Sequence, residues 1–191
     1  MTQQLIVNCI NLEHRDLRKQ QAERQAKEQG FYIRFWEGII ERHDRKKGIC
    51  MAHKQIVKDA KECGYPMTVI AEDDLLFFAP FAWDYFLSQI PDDFDLFMSM
   101  IYTGSIDSEN RITSVFSGMT MYCIHQRFYN FFLELPDSCH IDREVSSYAD
   151  QFKFLVCNPF VCEQDGSRSD NNFMTCDYRP HLEGRKLYGI N

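Results

Sequence analysis

The sequence predicts an α/β fold: a central, mostly parallel sheet flanked by helices, forming a single domain over residues 1–191. Three observations carry that prediction. Strand-like apolar runs alternate along the chain with segments whose apolar residues recur at helical spacing. Glycine or proline stands where those helices should stop, at Gly30, Gly64, Pro91 and Pro136. A length of 191 residues, 45% of them hydrophobic and 16 of them Phe, suits one domain with a sizeable core. Such alternation belongs to helices layered on a parallel sheet.

Each element has its own signal. "LIVNCI" (5–10) is the first expected strand. The stretch 14–29 is charged and Gln-rich, with only Leu17, Ala22 and Ala26 to bury, which predicts a surface helix. "FYIRFW" (31–36) is the second strand, and Ile49, Ala52, Ile56, Ala60 and Cys63 then step by three and four. "MTVIA" (67–71) follows as a strand, and Trp83, Phe86, Leu87 and Ile90 as a helix. Strands "DLFMSM" (95–100) and "MTMYCI" (119–124) precede a helix on Phe128, Phe131, Phe132 and Leu135. A last helix carrying Ile141, Val145, Tyr148 and Phe152 leads into strand "FKFLVC" (152–157).

Composition narrows the function. A formal charge of −7 argues against a general nucleic-acid binder. The longest apolar run, "LLFFAPFAW" at 75–83, is far shorter than the roughly 20 residues of a spanning helix, and the N-terminus has no signal-peptide pattern. None of the eight cysteines forms a CxxC pair, and several lie inside apolar runs, which predicts buried free thiols and a cytoplasmic protein.

The most informative stretch is "MTVIAEDDLLFF" (67–78), where Glu72, Asp73 and Asp74 interrupt two apolar runs. Three adjacent carboxylates repel one another, and burying them unpaired is costly, so a positive partner is expected: a side chain or a metal ion. In parallel α/β sheets ligands bind beyond the carboxyl ends of the strands. The triplet directly follows an expected strand, so it should lie in a site. An acidic turn paired with Lys or Arg is the structural alternative, and the apolar flanks weigh against it.

Five segments in order, "INLEHRDLR", "GICMAHKQIVKDA", "VIAEDDLLF", "SGMTMYCIHQRF" and "HIDRE", with "SRSDN" after them, resemble family 25 glycosyltransferases, which include lipopolysaccharide-type and collagen galactosyltransferases. The resemblance covers roughly residues 5–170. It implies a GT-A-like fold, a nucleotide-sugar donor (UDP-hexose), a glycan or lipopolysaccharide-type acceptor, a divalent metal (Mn²⁺ or Mg²⁺) and inverting hexosyl transfer of a galactosyltransferase-like kind. The chemistry is coherent, because a departing diphosphate concentrates negative charge that a hard cation on oxygen ligands offsets. The resemblance makes Asp74 the first metal ligand, with Glu72 beside it. It places Asn11, Arg18, His53, Glu72, Asp73, Ser169 and Asp170 at the donor. No nucleic-acid partner and no transmembrane segment is expected, and peripheral contact with a membrane stays open.

Several candidates carry a structural alternative. His53, at the edge of an apolar helix face, would equally suit a hydrogen-bonded structural histidine. Arg42, Arg45 and Lys46 could draw in a diphosphate, whereas Lys54, Lys58 and Lys61 read better as a solvated helix face. Asp142 is the candidate base, with Glu144 second, because an inverting transferase needs one group to take the acceptor proton; Asp142 would also serve as a plain N-cap. Ser169 and Asp170 follow a turn signal and would suit an ordinary polar turn. The chain departs from the family pattern in its short segment after Asp170 and in Ala71, where a bulkier aliphatic is usual. A degenerate sugar- or nucleotide-binding relative, or a metal-dependent phosphohydrolase using the same triplet, are the alternative functions.

Overall fold

The computed structural model describes residues 5–137, 140–167, 175 and 177–190. Strands and helices alternate as expected: β1 (Ile6–Asn11), α1 (Asp16–Gln29), β2 (Tyr32–Glu37), α2 (Arg45–Glu62), β3 (Met67–Glu72), β4 (Leu75–Phe77), α3 (Ala82–Gln89), β5 (Leu96–Met98), β6 (Met121–His125), α4 (Gln126–Glu134), α5 (Ile141–Ser146), β7 (Phe154–Val156) and β8 (Cys162–Gln164).

Six strands form one sheet in the order β2-β1-β3-β6-β5-β7. The pairs β2–β1, β1–β3 and β5–β7 are parallel, and β6 runs antiparallel to both of its neighbours. The inner strands β3, β5 and β6 are buried almost throughout, which explains their continuous apolar sequences. The edge strand β2 alternates and leaves Tyr32 exposed. At the other edge, Ile112 donates its N–H to the Phe154 carbonyl and Val156 donates to that of Asn110, so a loop covers β7.

Helices α1 and α3 pack together, and α2 packs with α4 and α5. The chain leaves β1 for β2 on one side and then crosses to β3 on the other. The strand order therefore reverses between β1 and β3, the place where α/β sheets open a crevice. Helix α2 buries Cys50, Ala52, His53, Ile56, Val57 and Ala60; this includes the predicted Ala52, Ile56 and Ala60, whereas Cys63, expected on the same face, is exposed at the helix end. Its first turn sits so close to the chain before it that a Cβ on Gly48 would lie 2.2 Å from the Ile39 carbonyl oxygen. Phe128, Phe131, Phe152 and Phe154 bring α4 against β7 through edge-on and tilted ring contacts.

Two details differ from the sequence reading. The helix expected over 141–152 stops at Ser146, where the Ser146 hydroxyl donates to the Arg143 carbonyl and that of Ser147 to the Glu144 carbonyl; local side-chain bonding of this kind competes with helix propagation. The small antiparallel pair β4–β8 was not expected, because each strand is only three residues long. Of the cysteines among the described residues only Cys63 is exposed; the other five are buried, and burial pushes the Cys162 thiol up to about 12.

Candidate functional site

Strand β3 ends at Glu72, and Asp73 and Asp74 make the turn into β4. The three carboxylates fan out to different partners. Asp73 accepts from Asn11 Nδ2 at 2.7 Å and from Arg18 Nη1 at 2.9 Å, so the end of β1 and the first half of α1 both brace it. Asp74 lies 3.3 Å from the same guanidinium nitrogen. Glu72 turns the other way, accepting from Gln164 Nε2 at 2.9 Å and facing His53 Nε2 at 3.7 Å. Gln164, on β8, is held in turn by its backbone N–H, which donates to the Tyr102 hydroxyl at 2.8 Å.

Among the described residues, the side chains that touch this turn do not balance its charge. Burial, reinforced by the Glu72 charge, pushes the Asp74 carboxyl well above the ordinary range, against the pull of Arg18. Burial also raises Asp73, although Arg18 and Asn11 draw it back. Burial opposes the charge on Arg18, but Asp74 and Asp73 together outweigh it and strengthen its hold on its proton. Arg18 is itself positioned by Ser167, whose hydroxyl accepts from Arg18 Nε at 2.9 Å.

These groups form one side of a pocket of about 680 Å³, within the roughly 300–1,000 Å³ typical of small-molecule sites. It opens beyond the carboxyl ends of β1, β2 and β3. Ile10, Leu12, Ile39, Ile40 and Ile49 give it an apolar wall, and Arg45 lies among them. Tyr102, Gly118, His140, Asp142, Tyr178 and His181 line it as well. The rings of Tyr102 and Tyr178 stack with centroids 4.7 Å apart. Gly118 adopts φ +100, which favours glycine, and donates its N–H to Asp142 Oδ2 at 3.1 Å. Asp142 Oδ1 accepts from the Arg143 N–H at 2.8 Å. Asp142 is therefore not the N-cap of α5; His140 holds that place, and Asp142 ties α5 to the loop before β6.

The structure thus brings Arg18, His53, Glu72, Asp73, Asp74 and Asp142 to one pocket, with Asn11 directly behind Asp73. His53 is 1% exposed; its Nδ1 pairs with the Tyr122 hydroxyl at 2.9 Å, and its Nε2 has no hydrogen-bond partner. Glu144 does not line the pocket, because two residues further along a helix turns a side chain to another face. Of the basic stretch only Arg45 reaches the pocket; Lys54 pairs with Asp137 and Lys58 with Glu62. Ser169 and Asp170 lie outside the described residues. Sequence reasoning missed Tyr102, Gln164, Tyr178 and His181. No local pattern marks them, since they come from loops, one 3-10 turn (Arg179–Leu182) and a three-residue strand far apart in the chain.

The donor chemistry fits a hard divalent cation. Among the described residues no three His, Cys, Asp or Glu side chains gather into a complete metal cage. Glu72 and Asp74 nonetheless offer carboxylate oxygens on an under-compensated negative patch, so a cation here would need further oxygens from a bound ligand or water.

No protein-family model matches the chain, and no curated protein does. Solved structures do share its fold. One is a glycosyltransferase involved in the glycosylation of the major capsid of PBCV-1, at 12% identity and TM-score 0.52, covering 82% of this chain and 83% of that one. Another is a mutant of Drosophila β-1,4-galactosyltransferase 7 complexed with manganese, UDP-Gal and xylobiose, at 10% identity and TM-score 0.55, covering 99% of this chain and 83% of that one. The chain therefore has a GT-A-like glycosyltransferase fold. No helix among the described residues is long and apolar enough to cross a membrane.

Proposed function

We propose that the protein is a metal-dependent, nucleotide-sugar-dependent inverting glycosyltransferase of the family 25 type, forming one domain, with a UDP-hexose donor and a glycan acceptor. One observation carries the proposal: the acidic turn at the end of β3 and Asp142 on α5 line the same pocket, although 68 residues separate Asp142 from Asp74. Inverting transfer needs two chemically distinct ends, a cationic one for the departing diphosphate and a basic one for the incoming hydroxyl, and this pocket supplies residues for both.

Asp74 and Glu72 are the residues that would hold the cation. When bound, Mn²⁺ or Mg²⁺ would offset the charge of the diphosphate. Asp73, fixed by Asn11 and Arg18, braces the turn. The apolar wall of Ile10, Ile39, Ile40 and Ile49 suits a flat base. His53 Nε2, buried and without a hydrogen-bond partner, suits a donor hydroxyl and steadies Glu72. Asp142 takes the proton of the acceptor hydroxyl; each of its oxygens accepts one backbone N–H, which leaves lone pairs for the substrate. The stacked Tyr102 and Tyr178 offer an aromatic surface on the same side.

The test is calorimetric titration of UDP in the presence of Mn²⁺, followed by turnover of UDP-hexoses. Asp74→Ala should weaken Mn²⁺-dependent UDP binding by more than the roughly 10–100-fold that even outer-shell metal partners cost, with circular dichroism unchanged. A variant that binds UDP and Mn²⁺ as tightly as the parent would overturn the assignment of the acidic turn.

A further inference from the structure

The acidic turn contains three carboxylates and one guanidinium, and that guanidinium is shared. A single nitrogen of Arg18, Nη1, is 2.9 Å from Asp73 and 3.3 Å from Asp74. Asp73 has a second strong partner in Asn11. Asp74 does not: beyond Arg18, its side-chain hydrogen-bond partner among the described residues is Gln164, whose Nε2 stands 3.5 Å from both oxygens, the outer limit of a hydrogen bond. Arg18 is thus the principal positive charge on the carboxylate proposed to hold the metal. Its own side chain is only 13% exposed and is fixed by Ser167, yet it also lines the pocket.

A guanidinium beside a carboxylate competes with a cation for the same oxygens. It is also a forked donor suited to phosphate. Those two properties, in one residue that both contacts Asp74 and lines the pocket, give it two exclusive engagements. Moreover, the described residues contain no complete set of metal ligands, so they alone offer a divalent ion a poor site.

We infer that Arg18 makes metal binding conditional on the nucleotide. Without ligand its charge occupies Asp74 and keeps a divalent cation out. A nucleoside diphosphate supplies both a competing anion for Arg18 and the missing oxygen ligands. This inference rests on the glycosyltransferase reading above and adds to it an order of events. Linkage then requires UDP and Mn²⁺ to raise each other's affinity by one common factor, within the roughly 5–150-fold usual for coupled sites.

The test counts free Mn²⁺ by its electron paramagnetic resonance signal as the full chain is titrated, with and without UDP. The wild-type chain should bind Mn²⁺ at least about tenfold more tightly with UDP than without it. Arg18→Gln should bind Mn²⁺ alone about tenfold more tightly than wild type, bind metal-free UDP more weakly, and so lose most of the coupling. A folded Arg18→Gln chain that binds Mn²⁺ alone no more tightly than wild type overturns the assignment of Arg18 and leaves the transferase reading standing. If Arg18→Gln does not fold, Arg18→Lys decides: an ammonium lacks the fork, so the coupling should shrink about threefold, and a Lys chain matching wild type in both affinities overturns the assignment. A wild-type chain that binds no Mn²⁺ even with UDP overturns the transferase reading itself.

Discussion

Two acidic clusters in this molecule look alike in sequence and behave in opposite ways. "EDD" at 72–74 and "DDFD" at 92–95 both lie next to strands. At the second, Arg127 bonds Asp93 and donates from Nε to Asp95 at 2.6 Å, while Lys153 pairs with Asp93 at 3.0 Å and gives its backbone N–H to the other Asp95 oxygen at 2.7 Å. There two carboxylates meet two cations, and the hydrogen bonds from Arg127 and Lys153 lower the Asp93 carboxyl to about 2. At the first, Asp73 and Asp74 share Arg18 while Glu72 turns to Gln164 and His53, and burial raises Asp73 and Asp74. The balanced cluster ties elements together, whereas the unbalanced one faces a cavity, the setting in which perturbed carboxylates cluster at functional sites.

That contrast makes function separable from stability. The largest expected effect falls on the pocket. Asp142→Asn keeps an oxygen for the Gly118 N–H, gives up the one that accepts from the Arg143 N–H, and cannot take up a proton, so transfer to an acceptor should fall by roughly 10²–10⁴-fold while UDP binding survives. Single-turnover kinetics at saturating acceptor measures this, and unaltered turnover would move the base elsewhere.

Asp95→Ala is the converse change and should act on folding alone. It leaves the Lys153 N–H and Arg127 Nε without their acceptor, a loss of about 1–3 kcal/mol. For a chain of this size each kcal/mol is worth roughly 2–4 °C in melting temperature. UDP binding at the distant pocket should not change, and a loss of binding with normal stability would erase the distinction between the clusters.

The smallest effect is in pH dependence, where the two clusters should differ in sign. Asp74 titrates higher in the folded chain than in the unfolded one, so its stability contribution is complete at low pH and is lost as pH rises through the raised value. Without metal, Asp74→Asn should melt above the parent at pH 7, the gap closing toward about pH 4. Asp93 is depressed to about 2, so its contribution is present above its unfolded value and disappears as pH falls toward 2. Asp93→Asn should melt slightly below the parent at pH 7, with the gap closing between about pH 4 and pH 2. Melting curves in EDTA across that range check both, and parallel shifts would contradict the charge assignment.

Much of the architecture was legible in the chain itself. Runs such as "MTVIA" and the three-and-four spacing from Ile49 to Cys63 report local periodicity, and periodicity decides which segments become strands or helices. The placing of Glu72, Asp73 and Asp74 at a strand end follows from the same local pattern, and so does the burial of the described thiols other than Cys63. What only the tertiary structure decided is which distant segments share the pocket. Arg18 meets Asp73 across 55 residues and Gln164 meets Glu72 across 92. Neither pairing leaves a local trace, because an apolar pattern says that a strand is buried but not beside which strand. The antiparallel insertion of β6 beside β3, the docking of Asp142 on Gly118 and the arrival of Tyr178 and His181 at the pocket are decided in the same way. They follow from how the whole set of elements packs around one sheet, where connections of many lengths bring loop residues to a common edge.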